Sequence, residues 1–247
     1  MSKMGKKLSK RKWDNISQGA MESLPDLSLH VLTPDDFHEV MQLLQRTFFE
    51  REVLSVALGC SAEDLAEKTS KAVKECLENG VSFGLRETKT TNLVAVKFCD
   101  VLSRKREPTT APEENITRME KIVVGVVNSV PPPECLFDDP SVEKILYGRI
   151  TNIDPSYTGK NLPIVLQEAC ERAGIEAGCQ LFYSQVANKN HLRKMIQKGC
   201  HVLQTSRVRD VSVDGQQVTV KSDDEDFSIS ALVKVLIPGN YRIKSCL

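Results

Sequence analysis

The sequence has no excess charge of either sign. Its 247 residues carry 33 Lys and Arg against 33 Asp and Glu, with a pI near 6.9. That balance excludes a protein whose whole surface grips a polyanion, so no specific nucleic-acid partner is expected. Also absent is any run of roughly 18 apolar residues, the length that spans a bilayer, and the first residues lack the apolar core of a secretory signal. The expectation is a cytoplasmic protein with no membrane partner. The eight cysteines, at 60, 76, 99, 135, 170, 179, 200 and 246, form no C-x-x-C pair and stand near no His at ligand spacing. Neither a metal nor a disulfide framework is expected, and the thiols read as small buried hydrophobes of a reducing compartment. Neither a G-x-x-x-x-G-K phosphate loop nor a G-x-G-x-x-G dinucleotide fingerprint occurs.

The sequence does contain enough apolar material for a folded domain, 40% of the residues. Residues 1–25 form a flexible basic tail with Lys3, Lys6, Lys7, Lys10, Arg11 and Lys12, which leaves nuclear entry open. A single domain is expected over 26–240, with a helical and loop insertion at about 100–144. Leu27, Leu29 and Val31 alternate as a strand. Thr33 then caps a helix with Pro34 in its first turn and Phe37, Val40, Met41, Leu44 and Phe48 on one stripe. Ser61 opens a second helix that Gly80 ends. The runs 81–86 and 92–99 read as a hairpin and 102–115 as an exposed loop, while Ile116–Val127 is ambiguous, its valines favouring a strand and its length and charges permitting a helix.

The order then becomes more telling. Ile145–Ile153 is a strand, 154–161 a turn containing Gly159, and 162–177 a helix with Leu162, Leu166, Ala169 and Ala173 on one face. Leu181–Val186 is another strand, and Asn188 caps a helix whose Leu192, Met195 and Ile196 face inward. Three strands follow, at 201–213, 217–221 and 229–237. This order points to a three-layer α/β (α+β) domain with a mixed sheet. A strand that turns through a glycine into a helix aims backbone N–H groups and a positive dipole end at one place, which suits a phosphate. Between Ala177 and Arg209 there is no Asp or Glu, while Lys189, Arg193, Lys194, Lys198, Arg207 and Arg209 are all present. With Lys160 in the turn itself, that stretch can draw a polyphosphorylated small ligand by its local field, though such a run also fits a solvated helix face.

These segments resemble the acetyl-CoA-dependent N-acetyltransferase (GNAT) superfamily, and within it the invertebrate arylalkylamine N-acetyltransferase branch. Residues 29–54 are similar to that branch's first strand and helix, with Phe48-Phe49-Glu50-Arg51-Glu52-Val53-Leu54 at its F-F-x-x-E-P-L signature. Residues 148–174 are similar to its strand, pyrophosphate loop and helix, and Met195–Leu203 to its M-x-K-L-G-F ending. The likeness spans roughly residues 27–237, and the helical insertion usual between that branch's third and fourth strands implies a helix at 113–128. It implies a three-layer α/β/α sandwich with a mixed, mostly antiparallel sheet splayed between strands 4 and 5. It implies acetyl-CoA as co-substrate, held by Asn152 and Ile153, by the loop Ser156, Tyr157, Thr158, Gly159, Lys160 and Asn161, by the helix start at Leu162, and by Asn188. Catalysis would fall to Glu52 as general base and His191 as proton donor, in direct acetyl transfer to a primary amine of an arylalkylamine-like small molecule, by a monomer without metal. The chain departs from the Q/R-x-x-G-x-G/A loop at Ser156 and Asn161, has Val53 for the proline, and has Ala187 and His191 where the branch has hydroxyls. A catalytically impaired acyl-CoA-binding relative, acting as sensor or interaction module, and a protein or peptide N-acetyltransferase are the alternatives.

Overall fold

A computed structural model describes residues 24–105 and 117–243. The expected basic tail (but for its last two residues), most of the expected loop after residue 102, and Cys246 lie outside the described residues. The strands are β1 (Leu27–Val31), β2 (Phe83–Glu87), β3 (Leu93–Ser103), β4 (Lys144–Ile153), β5 (Leu181–Val186), β6 (His201–Arg207), β7 (Ser212–Val213), β8 (Gln216–Gln217) and β9 (Ser228–Val235). The helices are α1 (Phe37–Thr47), α2 (Val53–Leu58), α3 (Ala62–Glu78), α4 (Arg118–Val127), α5 (Leu162–Glu176) and α6 (Lys189–Gln197). Seven strands form one sheet in the order β1-β2-β3-β4-β5-β9-β6. Among the described strands only the β4–β5 pair is parallel.

Alternation along the strands sorts side chains to the two faces. Leu146, Phe182 and Leu232 pack under α5 with Leu166, Cys170 and Ala173. Ile145, Tyr183 and Val233 face the other way, with Leu54 of α2 and Val126 of α4, while Val96 and Phe98 pack against Val40 and Leu44 of α1 and Val73 of α3. Helices thus cover both faces, the expected three layers. Local chemistry starts each helix on the covered side. The Asp36 carboxylate accepts from the Thr33 backbone N–H at 2.8 Å and its hydroxyl at 3.0 Å, and Ser61 with Asp64 and Thr117 with Glu120 form capping boxes.

Two features of β4 place the site. It pairs with β5 only from Ile145↔Leu181 to Gly148↔Ser184, yet continues to Ile153 beside β3. Beyond Gly148 the two strands part, as the resemblance implied, and the backbone N–H and C=O groups of β4 on that side have no ladder partner. Its register against β3 also slips, from Phe98↔Ile150 to Cys99↔Gly148. Arg149 is therefore an extra residue, a β-bulge at the point where the strands separate.

The chain after residue 200 differs from the expected three strands. The segment 201–213 breaks after Arg207 because Val208, fully buried, turns into a short 3-10 segment. The expected strand at 217–221 is reduced to β8. Asp214 and Gly215, with φ of 51° and 77°, make a tight two-residue turn that supports only the two-residue pairs of β7 and β8. In α6, Ile196 is 45% exposed while Met195 is buried. The amphipathic stripe there is narrower than the apolar residues suggested.

Candidate active site

The parting of β4 from β5 opens a cleft of about 640 Å³, lined by Glu52, Asn152, Ile153, Asn188 and His191 among others. That volume suits a small-molecule site. Five of the expected site residues therefore meet in one place. A second, shallower hollow gathers Tyr157, Gly159, Lys160 and Asn161 beside Glu87 and Lys89. Ser156 and Thr158 are exposed and line neither. The Leu162 side chain is buried in the core, so only its backbone belongs to the start of α5.

The apex of the cleft is fixed by glycine and serine. Ser184 Oγ donates to the Gly148 carbonyl at 2.8 Å. A Cβ on Gly148 would stand 2.8 Å from the Phe182 ring and 3.4 Å from Ser184 Oγ, so the residue must lack a side chain for the two strands to meet there.

Glu52 occupies the α1–α4 side. It is the N-cap of α2: the Leu54 N–H donates to Oε1 at 3.1 Å, and the Ser55 N–H and hydroxyl donate to Oε2 at 2.7 and 2.6 Å. A carboxylate offers about four lone-pair sites. Oε2 is filled and Oε1 retains one site, on a residue that lines the cleft. The short helix α2 was not anticipated, because an E-V-L-S start lacks the usual Ser, Thr, Asp or Asn cap. Phe48, Leu65, Met119, Val123 and Tyr147 add an apolar and aromatic wall on the same side. Helix α4 closes that side. Gln185 Nε2 donates to the Val127 carbonyl at 3.1 Å, and Lys68 pairs with Glu120 at 3.4 Å.

On the opposite face lie His191, Lys97 and Lys194. Asn188 caps α6, its Oδ1 accepting from the His191 N–H at 2.9 Å. Burial, then the neighbouring Lys97 and Lys194, push the His191 imidazole down to about 4. It is a neutral imidazole near pH 7, able to donate from one nitrogen and accept at the other. Asn152 is held by the end of α1, its Nδ2 donating to Thr47 Oγ1 at 2.7 Å.

The phosphate-loop geometry is present in part. Gly159 has φ 89° and Asn161 φ 55°. Gly159 meets the left-handed conformation at no cost, whereas Asn161 meets it with a side chain. The Asn161 Oδ1 accepts from Lys194 Nζ at 2.9 Å, which brings a cation of α6 to the mouth of the loop. Ser156 turns inward to Asp154, its hydroxyl donating to Oδ1 at 2.5 Å.

Half of the six basic residues in the acid-free stretch are paired with acids by the fold. Lys189 pairs with Asp224 at 2.6 Å, Lys198 with Glu168 at 2.9 Å and Arg207 with Asp226 at 3.6 Å. Of these basic residues, Lys194 is the one that reaches the loop. Lys97 and Lys194 were missed as site residues. Lys97 carried a signal, a lone charge inside an apolar strand, while Lys194 was indistinguishable from its basic neighbours.

Among the described residues no group of His, Cys, Asp or Glu is placed to hold a metal ion, and no helix is long and apolar enough to cross a membrane.

No protein-family model matches the chain, and a search of curated proteins by sequence finds no match. Comparison of structures does find relatives in shape. Arylalkylamine N-acetyltransferase 2 from Aedes aegypti superposes with a TM-score of 0.70 at 18% identity, over 86% of this chain and 100% of that one. A Drosophila melanogaster polyamine N-acetyltransferase that forms N-acetylagmatine gives 0.68 at 16%, over 85% and 100%. The C-terminal condensation domain of Ebony, solved with β-alanyl-dopamine, gives 0.67 at 16%, over 85% and 98%. The fold is that of the GNAT N-acetyltransferases, with a sheet split between its fourth and fifth strands.

Proposed function

We propose that the protein is an acetyl-CoA-dependent N-acetyltransferase that acts on the primary amine of a small, arylalkylamine-like molecule. One observation carries this reading: the cleft where β4 leaves β5 joins a half-free carboxylate, Glu52 Oε1, to a stretch of unpaired strand backbone beside a helix N-terminus. The names of the similar structures, arylalkylamine and polyamine N-acetyltransferases, support the same chemistry. The Ebony domain shares the fold and is named for condensation, so the fold alone does not choose the reaction. Placement in the cytoplasm rests on composition and belongs to the proposal.

The residues fit coenzyme A as follows. The unpaired backbone of Asn152 and Ile153 would pair with the amides of the pantetheine arm as an added strand would. Gly159, Lys160, Asn161 and the first turn of α5 would face the pyrophosphate, with Lys194 supplying a cation in place of the missing Gln or Arg. Lys160, over the Tyr157 ring at 4.9 Å, and Lys89 flank the adjoining hollow. Bound acetyl-CoA supplies an activated acetyl group; what remains for the protein is to deprotonate and aim the amine. Glu52 Oε1 takes the ammonium proton, directly or through one water, while the aromatic wall around Phe48 and Tyr147 holds the apolar part of the amine. A backbone N–H at the Arg149 bulge would be the candidate donor to an oxyanion.

A thiol-release assay over arylalkylamines, polyamines and peptides tests the reading. Amine-dependent release with the small arylalkylamines preferred supports it. Preference for peptides moves the activity to protein substrates. Coenzyme A binding without release on any amine would support a sensor, a reading that the Asn161 side chain in the loop and the Ser156 hydroxyl turned to Asp154 favour.

A further inference from the structure

Among the described residues one lysine is buried, and the roles above leave it unused. Lys97 interrupts the apolar strand β3 and is 2% exposed. Its Nζ donates to Thr151 Oγ1 at 2.9 Å and lies 5.9 Å from the centre of the Phe182 ring. An ammonium has three donors, and the hydroxyl takes one. Isolated burial of such a charge costs several kcal/mol, a cost that methionine, an apolar residue of similar length, would avoid. The lysine lines the cleft. Its strand partner is Thr151, on β4 just past the Arg149 bulge, and it faces the α5 side of the sheet while Glu52 stands on the other.

We propose that Lys97 is the group that receives the sulfur of coenzyme A, its ammonium stabilising the thiolate as the thioester bond breaks. The proposal rests on the acetyltransferase reading. The amine nitrogen forms a bond to the carbonyl carbon, the C–S bond breaks, and its electron pair goes to sulfur. Of the two protons that the substrate ammonium gives up, one leaves through Glu52 to solvent and one ends on the sulfur. A base on one face of the sheet and a cation on the other match an amine that enters opposite the departing sulfur. Ala187 offers no proton, and His191 is neutral near pH 7, so neither neighbour supplies this charge. The other titratable groups around Lys97 are Cys99 and Asp100 on β3, Cys170 and Glu171 on α5, His191 and Lys194 on α6, and Cys200. Glu171 is already engaged by Lys234 at 2.6 Å and Gln167 at 2.8 Å.

Calorimetric titration of the full chain with coenzyme A and with desulfo-coenzyme A tests this without turnover. Wild type is expected to bind the thiol form about threefold more tightly at pH 8, the gain from lowering a thiol pKa of about 8.5 by about one unit, and to release protons on binding. Lys97→Met should lose both the sulfur preference and the proton release, while its affinity for desulfo-coenzyme A changes less than about twofold. Retention of the preference and the proton release in Lys97→Met overturns the proposal. Should that variant not fold, ultraviolet thiolate absorbance of coenzyme A bound to wild type decides: ionisation at lower pH than in free coenzyme supports the assignment, and an unshifted profile overturns it. If wild type binds neither compound, the acetyltransferase reading fails and takes this proposal with it.

Discussion

Glu52 has two tasks, and substitution separates them. As the cap of α2 its carboxylate accepts from Leu54 N–H, Ser55 N–H and the Ser55 hydroxyl. Ser55 is 6% exposed, so in Glu52→Ala its hydroxyl would be left buried without this acceptor. Loss of an N-cap costs about 0.5–2 kcal/mol and an unsatisfied buried hydroxyl about 1–3 kcal/mol. Together these give about 2–4 kcal/mol, or roughly 5–15 °C in Tm for a chain of this size. Glu52→Gln keeps one acceptor oxygen and should cost only about 1 kcal/mol, roughly 2–4 °C. It therefore stays folded at assay temperature and reports on chemistry. Without a base, thiol release at neutral pH should fall about 100-fold. Part of that loss should return near pH 10, where an amine is already neutral. Paired thermal melts and pH-rate profiles of the two variants are the assay. A Glu52→Gln rate within twofold of wild type refutes the base, and an unchanged Tm in Glu52→Ala refutes the cap.

Further outcomes follow from the same geometry. His191, at about 4 when folded against 6.5 when unfolded, binds fewer protons in the folded state between those values. Stability should therefore fall as pH drops from 6.5 to 4, by on the order of 2 kcal/mol, and His191→Gln should remove that part of the slope in urea denaturation. Asn161→Gly relieves a left-handed side chain and clears the loop; stability should change by less than about 1 kcal/mol and coenzyme A affinity should rise. A loss of affinity there would instead make the Asn161–Lys194 contact part of the binding surface. Gly148→Ala brings a Cβ within 2.8 Å of Phe182 and should destabilise by about 1–3 kcal/mol, measured by the same denaturation.

Local signals carried much of the fold. The strand, glycine turn and helix of 144–176 and the Ser61 start are legible because caps, turns and a 3.6-residue period lie within a few residues of each other, whereas α4 was read as a helix through the resemblance, its valines favouring a strand locally. What depended on distant partners was not. The bulge at Arg149 exists only in register against Phe98 and Cys99. The pairing of Lys189 with Asp224 and Arg207 with Asp226 folds the acidic 223–226 segment back on the basic stretch, so charge counted along the chain overstated the field at the loop. Strands after residue 200 were overextended because valine content favours β structure wherever it occurs, while Val208 spends its apolar side chain on the core. Glu52 and His191 were named only through the resemblance, and nothing in their immediate spacing marks them. The cap made by Glu52 shows why: its carboxylate is placed by a six-residue helix that begins without a usual cap residue.

On the proposed reading the parted strands, the Gly159 loop and Lys194 together hold one coenzyme A. Calorimetric titration of the full chain with acetyl-CoA should then show saturable binding of one molecule per chain, weakened roughly tenfold in Lys194→Ala, the scale of one charge-assisted contact. No binding up to about millimolar acetyl-CoA, where even an interaction of roughly 4 kcal/mol would register, would contradict it.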